Sequence, residues 1–441
     1  MIMVYSFDRH LGANLTLLVG LLSACGSEEV QQAGPWGDEV AVPEGGKQAE
    51  QSSGVKVSGG HPFDRDFLLS IPLQITAWIA NPDSRGLSLS ATALPAAARV
   101  MVTMPGEQYR QSCSGVLVGG QHVLTAAHCV CGEQYSGWYA QDYRSCLAGL
   151  PSVKVGVFFP TVGLFENDGA PIVHPGYRSP VEGLVADQTR IADLAIVRLD
   201  RPVPIEPHPI RAAGNGQHIL ASYGIFSLTY VPDGIPYEEN AQYSPGVKQI
   251  SIQPRIQEKP GECGRHAAGD TFCIHYSGLV VTAGPERPTG ICGGDSGSPL
   301  FERDGHGRIH LTGLSSYMSP PQGKCESTTG RFNHFIKLDD YALWIRETIG
   351  GDVSSAAHKH VCGETVLSGP GVFDFSFPVK LISAVGFDKI EAPQSAVTLN
   401  SADAVCQSNA DFSALSCSLR SESKVELQID GGFAQVVFCG I

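Results

Sequence analysis

The chain has 441 residues, 42% of them hydrophobic, and a formal net charge of −14 at pH 7. That length exceeds one ordinary domain, and the apolar content is enough for packed cores and excludes general disorder. The acidic balance disfavours DNA or RNA, which demand a basic surface, and electrostatic attraction to anionic lipid; it is read as a contribution to solubility.

In chain order, Leu11 to Ala24 is an apolar run, shorter than the span of about 20 residues that a membrane helix needs. It reads as the hydrophobic region of an export signal covering residues 1–24. Its end, Leu22-Ser23-Ala24-Cys25, resembles the lipobox of bacterial lipoproteins. That implies cleavage before Cys25, acylation of Cys25 and attachment to the bacterial cell envelope, with acyl chains supplying the membrane affinity. The alternative is a simple cleaved signal and an extracellular product. Residues 25–60 are rich in Gly, Glu, Gln and Ser without apolar periodicity and read as a flexible tether. Residues 61–94 contain apolar stretches that remain unassigned, as in a propeptide.

From about Ala97 the pattern becomes short apolar runs separated by Gly and Pro. Strand candidates are Val100 to Thr103, Gly115 to Val118, Val153 to Phe159, Leu194 to Leu199, Gln249 to Ile252 and Ile309 to Leu314. Many short strands with glycine turns predict an all-β barrel or sandwich. One helix is expected at Asp339 to Ile349, with Asp339 as its cap. Texture changes at a linker, 351–360. Residues 361–441 read as a separate small β-rich domain, in which Val425, Leu427 and Ile429 alternate with Glu426, Gln428 and Asp430.

Three segments carry chemistry. Gly294-Asp295-Ser296-Gly297-Ser298-Pro299 holds a serine in a glycine-flanked turn; Thr125-Ala126-Ala127-His128-Cys129 lies upstream; Asp193 precedes the apolar run Leu194 to Leu199. A serine hydroxyl is a poor nucleophile at neutral pH. It needs a base such as His128, whose other ring nitrogen is oriented by a carboxylate such as Asp193.

These segments resemble those of the trypsin-like (chymotrypsin-fold) serine endopeptidases over residues 95–350. Ile172-Val173-His174-Pro175-Gly176-Tyr177 and the Tyr341 to Ile349 stretch add to the likeness. The resemblance implies two six-stranded antiparallel β-barrels with a closing helix, and peptide-bond hydrolysis through an acyl-enzyme. Protein or peptide is the substrate, and no metal or cofactor takes part. It assigns His128, Asp193 and Ser296 to the triad, with roles as in the general template. Gly294 and Ser296 supply backbone amides to the oxyanion. Asp295 pairs with a new N-terminal amine after zymogen cleavage. The pocket is lined by Gly290, Ile291, Ser316, Tyr317, Met318 and Gly330. Gly290 stands where trypsin-type enzymes carry an aspartate, so no buried counter-charge awaits Arg or Lys. With Ile291 and Met318 this implies a small or medium apolar preference.

One departure from the family is plain. No Ile-Val-Gly-Gly start lies just before the first barrel: Val57-Ser58-Gly59-Gly60 is too far upstream, and Arg85-Gly86 has a poor following sequence. Asp295 is therefore left open to another partner.

Thirteen cysteines point to an oxidising compartment, since no Cys-x-x-Cys pair supports zinc. Removing Cys25 leaves an even number. The resemblance pairs Cys113 with Cys129, Cys263 with Cys273, and Cys292 with Cys325. Cys131 and Cys146 share one loop and are expected to pair. Cys362, Cys406, Cys417 and Cys439 make two bridges, with three connectivities open. His358 and His360 are two ligands without partners, better read as linker, and His174 is read as structural.

Two other readings are weighed. An α/β-hydrolase needs Gly-x-Ser-x-Gly and the order Ser, Asp, His, but residue 298 is serine and the order here is His, Asp, Ser. A non-catalytic surface protein on a protease scaffold would lack a triad member, and none is lacking. Residues 361–441 are the better candidate for binding an unknown ligand, with a stabilising appendage weighed equally.

Overall fold

The structure is a computed structural model. It describes residues 55–57, 87–89, 91–103, 110–132, 142–178, 192–224, 226–227, 242–243, 246–253, 271–276, 291–319, 331–351, 361–368, 371–375, 380–387, 397–400, 404–408, 414–419, 425–429 and 433–440. Cys25, Gly290, Gly330, Cys263, Cys325, His358 and His360 lie outside these residues. Met318 and Cys273 lie in strands, but their side chains are outside the description. Residues 51–441 form one compact unit.

Two short strands come first, β1 (Val55–Val57) and β2 (Leu87–Leu89). The first lobe follows with β3 (Ala97–Thr103), β4 (Arg110–Gly119), β5 (His122–Thr125), α1 (Ala127–Cys131), α2 (Tyr143–Gly149), β6 (Lys154–Phe159), β7 (Gly163–Glu166), β8 (Ile172–Val173) and β9 (Ala195–Arg198). Its strands form one antiparallel sheet, β7-β6-β3-β4-β5-β9-β8. Valines, leucines and isoleucines at alternate positions of these strands fill its interior, among them Val100, Val102, Val116, Leu124, Val157 and Ile196.

The second lobe contains β10 (Gln217–Ser222), a two-strand pair β11 (Phe226–Ser227) and β12 (Gln242–Tyr243), then β13 (Gln249–Gln253), β14 (Thr271–Tyr276), β15 (Pro299–Arg303), β16 (Ile309–Ser319) and β17 (Arg331–Lys337). Its sheet runs β14-β17-β16-β15-β10-β13-β2. Among the described residues each lobe's main sheet thus has seven strands, where six were expected, and the second lobe adds the β11–β12 pair. The two-residue β8 extends the first sheet, and β2, from the segment left unassigned by sequence, pairs with β13 in the second. All six predicted strands coincide with observed ones. The closing helix α3 (Ala342–Thr348) begins later than expected. Its cap position is Tyr341, without a side-chain cap bond, and Asp339 contributes only its carbonyl, which accepts the Ala342 amide at 3.3 Å.

The remaining strands are β18 (Val361–Ser368), β19 (Gly371–Phe375), β20 (Leu381–Phe387), β21 (Val397–Asn400), β22 (Ala404–Ser408), β23 (Ala414–Leu419), β24 (Val425–Ile429) and β25 (Phe433–Gly440). They form the sheets β18-β25-β20-β23-β22 and β1-β19-β24-β21. Leu427 and Ile429 are buried and Gln428 is exposed, as the alternation predicts. β1 pairs in parallel with β19, Val57 opposite Phe375, so the end of the expected tether is a strand. Cys362–Cys439 and Cys406–Cys417 each link directly opposed residues of neighbouring strands, which selects one of the three open connectivities.

These C-terminal sheets pack on both lobes. Lys248, just before β13, is wholly buried; its Nζ donates to the Leu94 carbonyl at 2.8 Å, and its backbone amide donates to Gln435 of β25 at 3.1 Å. Glu364 of β18 accepts the Ala91 and Thr92 amides at 2.6 and 2.7 Å. On the first lobe, β23 lies against β7, and Arg201 donates to Gln407 at 3.5 Å.

Candidate active site

A helix of one turn is not stable alone, so α1 must be held by its surroundings. Cys129 is bonded to Cys113 of β4, and Cys131 to Cys146 of α2. Two bridges, each worth about 2–4 kcal/mol in restricting the unfolded chain, therefore fix the turn that carries His128. β5 ends at Thr125 and pairs there with Ala195, the first residue of β9. This register brings His128, just after β5, beside Asp193, just before β9. The His128 amide donates to Asp193 Oδ1 at 2.9 Å, and His128 Nδ1 lies 2.8 Å from Asp193 Oδ2. Both side chains are buried. A carboxylate only accepts, so Nδ1 carries the proton of this hydrogen bond.

Ser316 of β16 also donates its hydroxyl to Asp193 Oδ2. Sequence placed Ser316 in the pocket; the structure turns its side chain to the carboxylate. Tyr317 stacks on His334, ring centroids 4.2 Å apart. Ile291 packs with Leu220, Leu300 and Phe335 in the interior of the second lobe.

Ser296 sits in a tight turn before β15. The Asp295 amide donates to the Cys292 carbonyl at 3.0 Å and the Ser298 amide to the Asp295 carbonyl at 2.9 Å. The turn is tied to β16 by the Gly297 amide, which donates to the Ser315 carbonyl at 2.8 Å. It is tied to the first lobe by the Ser114 amide, which donates to the Ser296 carbonyl at 2.8 Å. That carbonyl lies 3.8 Å from Sγ of Cys129, the residue after His128. Gly297 has φ +81°, and a Cβ there would lie 2.3 Å from the Ser114 carbonyl and 2.5 Å from Thr125 Oγ1. Only glycine fits this approach between the serine turn and the histidine segment. Gly294 has φ +91°. Cys292 is disulfide-bonded; its partner lies outside the described residues.

Asp295 is 3% exposed. Its carboxylate accepts the Gly224 amide at 2.8 Å, the Cys292 amide at 2.8 Å and the Ser222 hydroxyl. Burial pushes its pKa up to about 7 against these hydrogen bonds, which pull it down. Among the described residues its partners are these neutral donors. Ser114, wholly buried, was not singled out by sequence. Its hydroxyl donates to the Gly294 carbonyl at 3.0 Å and accepts the Tyr223 amide at 3.1 Å, while its carbonyl accepts the Thr125 hydroxyl at 2.7 Å. His174 meets Tyr341 and Trp344 edge-on, at 4.9 and 4.8 Å. Among the described residues no group of three or more His, Cys, Asp or Glu side chains is placed to hold a metal.

The Trypsin family matches residues 90–345, more than half of the chain. The chain belongs to the trypsin family. It is 27% identical over 257 residues to Phenoloxidase-activating factor 1 of Holotrichia diomphalia, covering 54% of this chain and 62% of that protein. Serine protease 7 of Drosophila melanogaster is 26% identical over 264 residues, with 54% and 57% covered. The chain therefore spans less than two thirds of these two relatives. Trypsin, alkaline B of Manduca sexta is 22% identical over 280 residues, with 62% and 93% covered. A solved collagenase aligns over 60% of this chain and 98% of its own at 19% identity, with a TM-score of 0.39.

Proposed function

We propose that the chain is a serine endopeptidase acting through Ser296, with His128 as base and Asp193 orienting it. The observation that carries this reading is the buried His128–Asp193 pair at 2.8 Å, next to the glycine-flanked turn of Ser296 in a member of the trypsin family. His128 Nε2 takes the Ser296 proton as the hydroxyl attacks the peptide carbonyl. The amides of Gly294 and Ser296 stabilise the oxyanion. The imidazolium then protonates the leaving amine, and water releases the acyl group by the same steps in reverse.

The finer features of the reading are these. The product is exported, in keeping with its disulfides, and Cys25 is acylated, tethering it to a membrane. Cleavage follows small or medium apolar side chains, because Gly290 and Ile291 offer no counter-charge. Residues 361–441 form a module that braces the protease lobes.

The test is labelling with a fluorophosphonate probe alongside hydrolysis of casein. Wild type is expected to be modified on Ser296. A Ser296→Ala protein is expected to lose labelling and at least about 10³-fold in kcat. Equal casein hydrolysis by both proteins rules the reading out.

A further inference from the structure

A line of buried hydrogen bonds runs from the C-terminal sheets to the serine turn. It starts at Gln435 of β25. The side-chain oxygen of Gln435 accepts the Lys248 amide at 3.1 Å, and its side-chain nitrogen donates to the Lys248 carbonyl at 3.5 Å. One side chain thus meets both peptide groups of Lys248, as a neighbouring strand would. Lys248 leads directly into Gln249, the first residue of β13, whose side-chain nitrogen donates to the Gly224 carbonyl at 2.6 Å. The Gly224 amide donates in turn to Asp295 Oδ1 at 2.8 Å, and Asp295 Oδ2 accepts the Cys292 amide at 2.8 Å.

Gln435, Lys248, Gln249 and Asp295 are each at most 3% exposed. Away from water, a broken bond leaves its abandoned partner unsatisfied, so such a line shifts as a unit or at high cost. Its far end is tight: a Cβ on Gly224 would lie 2.2 Å from Asp295 Oδ1. Asp295 lies between Gly294 and Ser296, whose amides are assigned to the oxyanion, so the aim of its carboxylate and the aim of those amides are set together. The C-terminal contact with the first lobe is different in kind. There Arg201 meets Gln407 at the surface, at 3.5 Å, while holding Asp200 and the Leu164 carbonyl.

We propose that Gln435 and Gln249 are positioning residues for the Ser296 turn, and that the C-terminal sheets thereby tune the reactivity of the serine. The inference rests on the serine endopeptidase reading. It adds a support for the nucleophile that comes from beyond residues 90–345, the stretch matched by the family.

Its test is a double-mutant cycle on the full chain, every protein prepared in the same way, with fluorophosphonate labelling of Ser296 and peptide hydrolysis as readouts. Gln249→Leu keeps the volume and removes the donor to Gly224. It is expected to slow labelling and lower kcat about tenfold, with KM within about twofold of wild type. Gln435→Leu is expected to slow labelling about threefold or more. The double variant is expected to stay within about twofold of Gln249→Leu, because the line is already broken; independent effects would multiply to about thirtyfold. Gln407→Ala, which removes the surface contact on the first lobe, keeps the wild-type rate. A purely structural role would lower the urea midpoint of the glutamine variants and leave the labelling rate of folded protein unchanged. Should Gln435→Leu not fold, Gln435→Asn takes its place, since the shorter side chain withdraws the acceptor and stays polar. The inference is overturned if either glutamine variant labels at the wild-type rate, if the two losses multiply, or if Gln407→Ala slows labelling as much as the Gln435 variant. Absence of Ser296 label in wild type instead removes the endopeptidase reading beneath it.

Discussion

Asp193 receives hydrogen bonds from the His128 amide, His128 Nδ1 and the Ser316 hydroxyl, among others. Together they aim its carboxylate at the imidazole. A Ser316→Ala change removes one charge-assisted bond without opening a cavity. It is expected to lower kcat about tenfold with little change in KM, measured on a peptide substrate. The residue before Asp193, Ala192, has φ +48°, a conformation that costs an L-residue about 1–2 kcal/mol. The Leu194 amide donates to its carbonyl at 2.7 Å and closes the turn that presents the carboxylate. At this scale the sequence exposed the residues with distinctive neighbours. His128, Asp193 and Ser296 were legible because each sits in a recognisable segment. Ser114 and Ser222 were not, because a serine in a strand carries no sign of the loop it will meet across the fold.

At the scale of elements, the site is a seam where four pieces meet: α1, the start of β9, the turn before β15 and the middle of β16. Gly297 sits at the tightest point of that seam. Gly297→Ala would force a Cβ to within 2.3 Å of a backbone carbonyl at a φ of +81°. The expected result is a loss of several kcal/mol or a displaced Ser296 turn, seen as a lowered urea midpoint together with slower probe labelling. Long periodic strands such as β3 and β16 could be read from the chain. α1 could not: it is one turn, has no side-chain cap, and owes its form to two disulfides. α2 starts with a capping box of Asp142 and Ser145, in which serine replaces the usual Glu or Gln, so that signal was missed as well. β1 lies in polar, glycine-rich sequence and β2 in a run of only three residues, and both become strands because sheet edges elsewhere are available to pair with them.

Across the whole molecule, the C-terminal sheets were legible as β structure, but their union with the protease lobes was not. That union depends on Lys248, a charged residue that sequence alone would place on the surface. Burial lowers the Lys248 pKa to about 7, opposed by the nearby Glu364 carboxylate. In the unfolded chain the pKa returns to an ordinary value near 10.5. The folded state therefore carries a neutral amine where the unfolded state is charged, and this group's penalty grows as pH falls from about 10.5 to about 7. Wild-type melting temperature is expected to gain a few degrees between about pH 7 and pH 9.5. In a Lys248→Met protein that increment should be absent, as followed by thermal unfolding with both proteins in the same buffers.

The third module grips both halves of the protease at once, through Gln435 on Lys248 of one lobe and β23 on β7 of the other. Two jaws bolted to a common frame cannot hinge apart without stripping those contacts. Both lobes thereby share one support, and loss of either contact leaves a lobe braced from one side fewer.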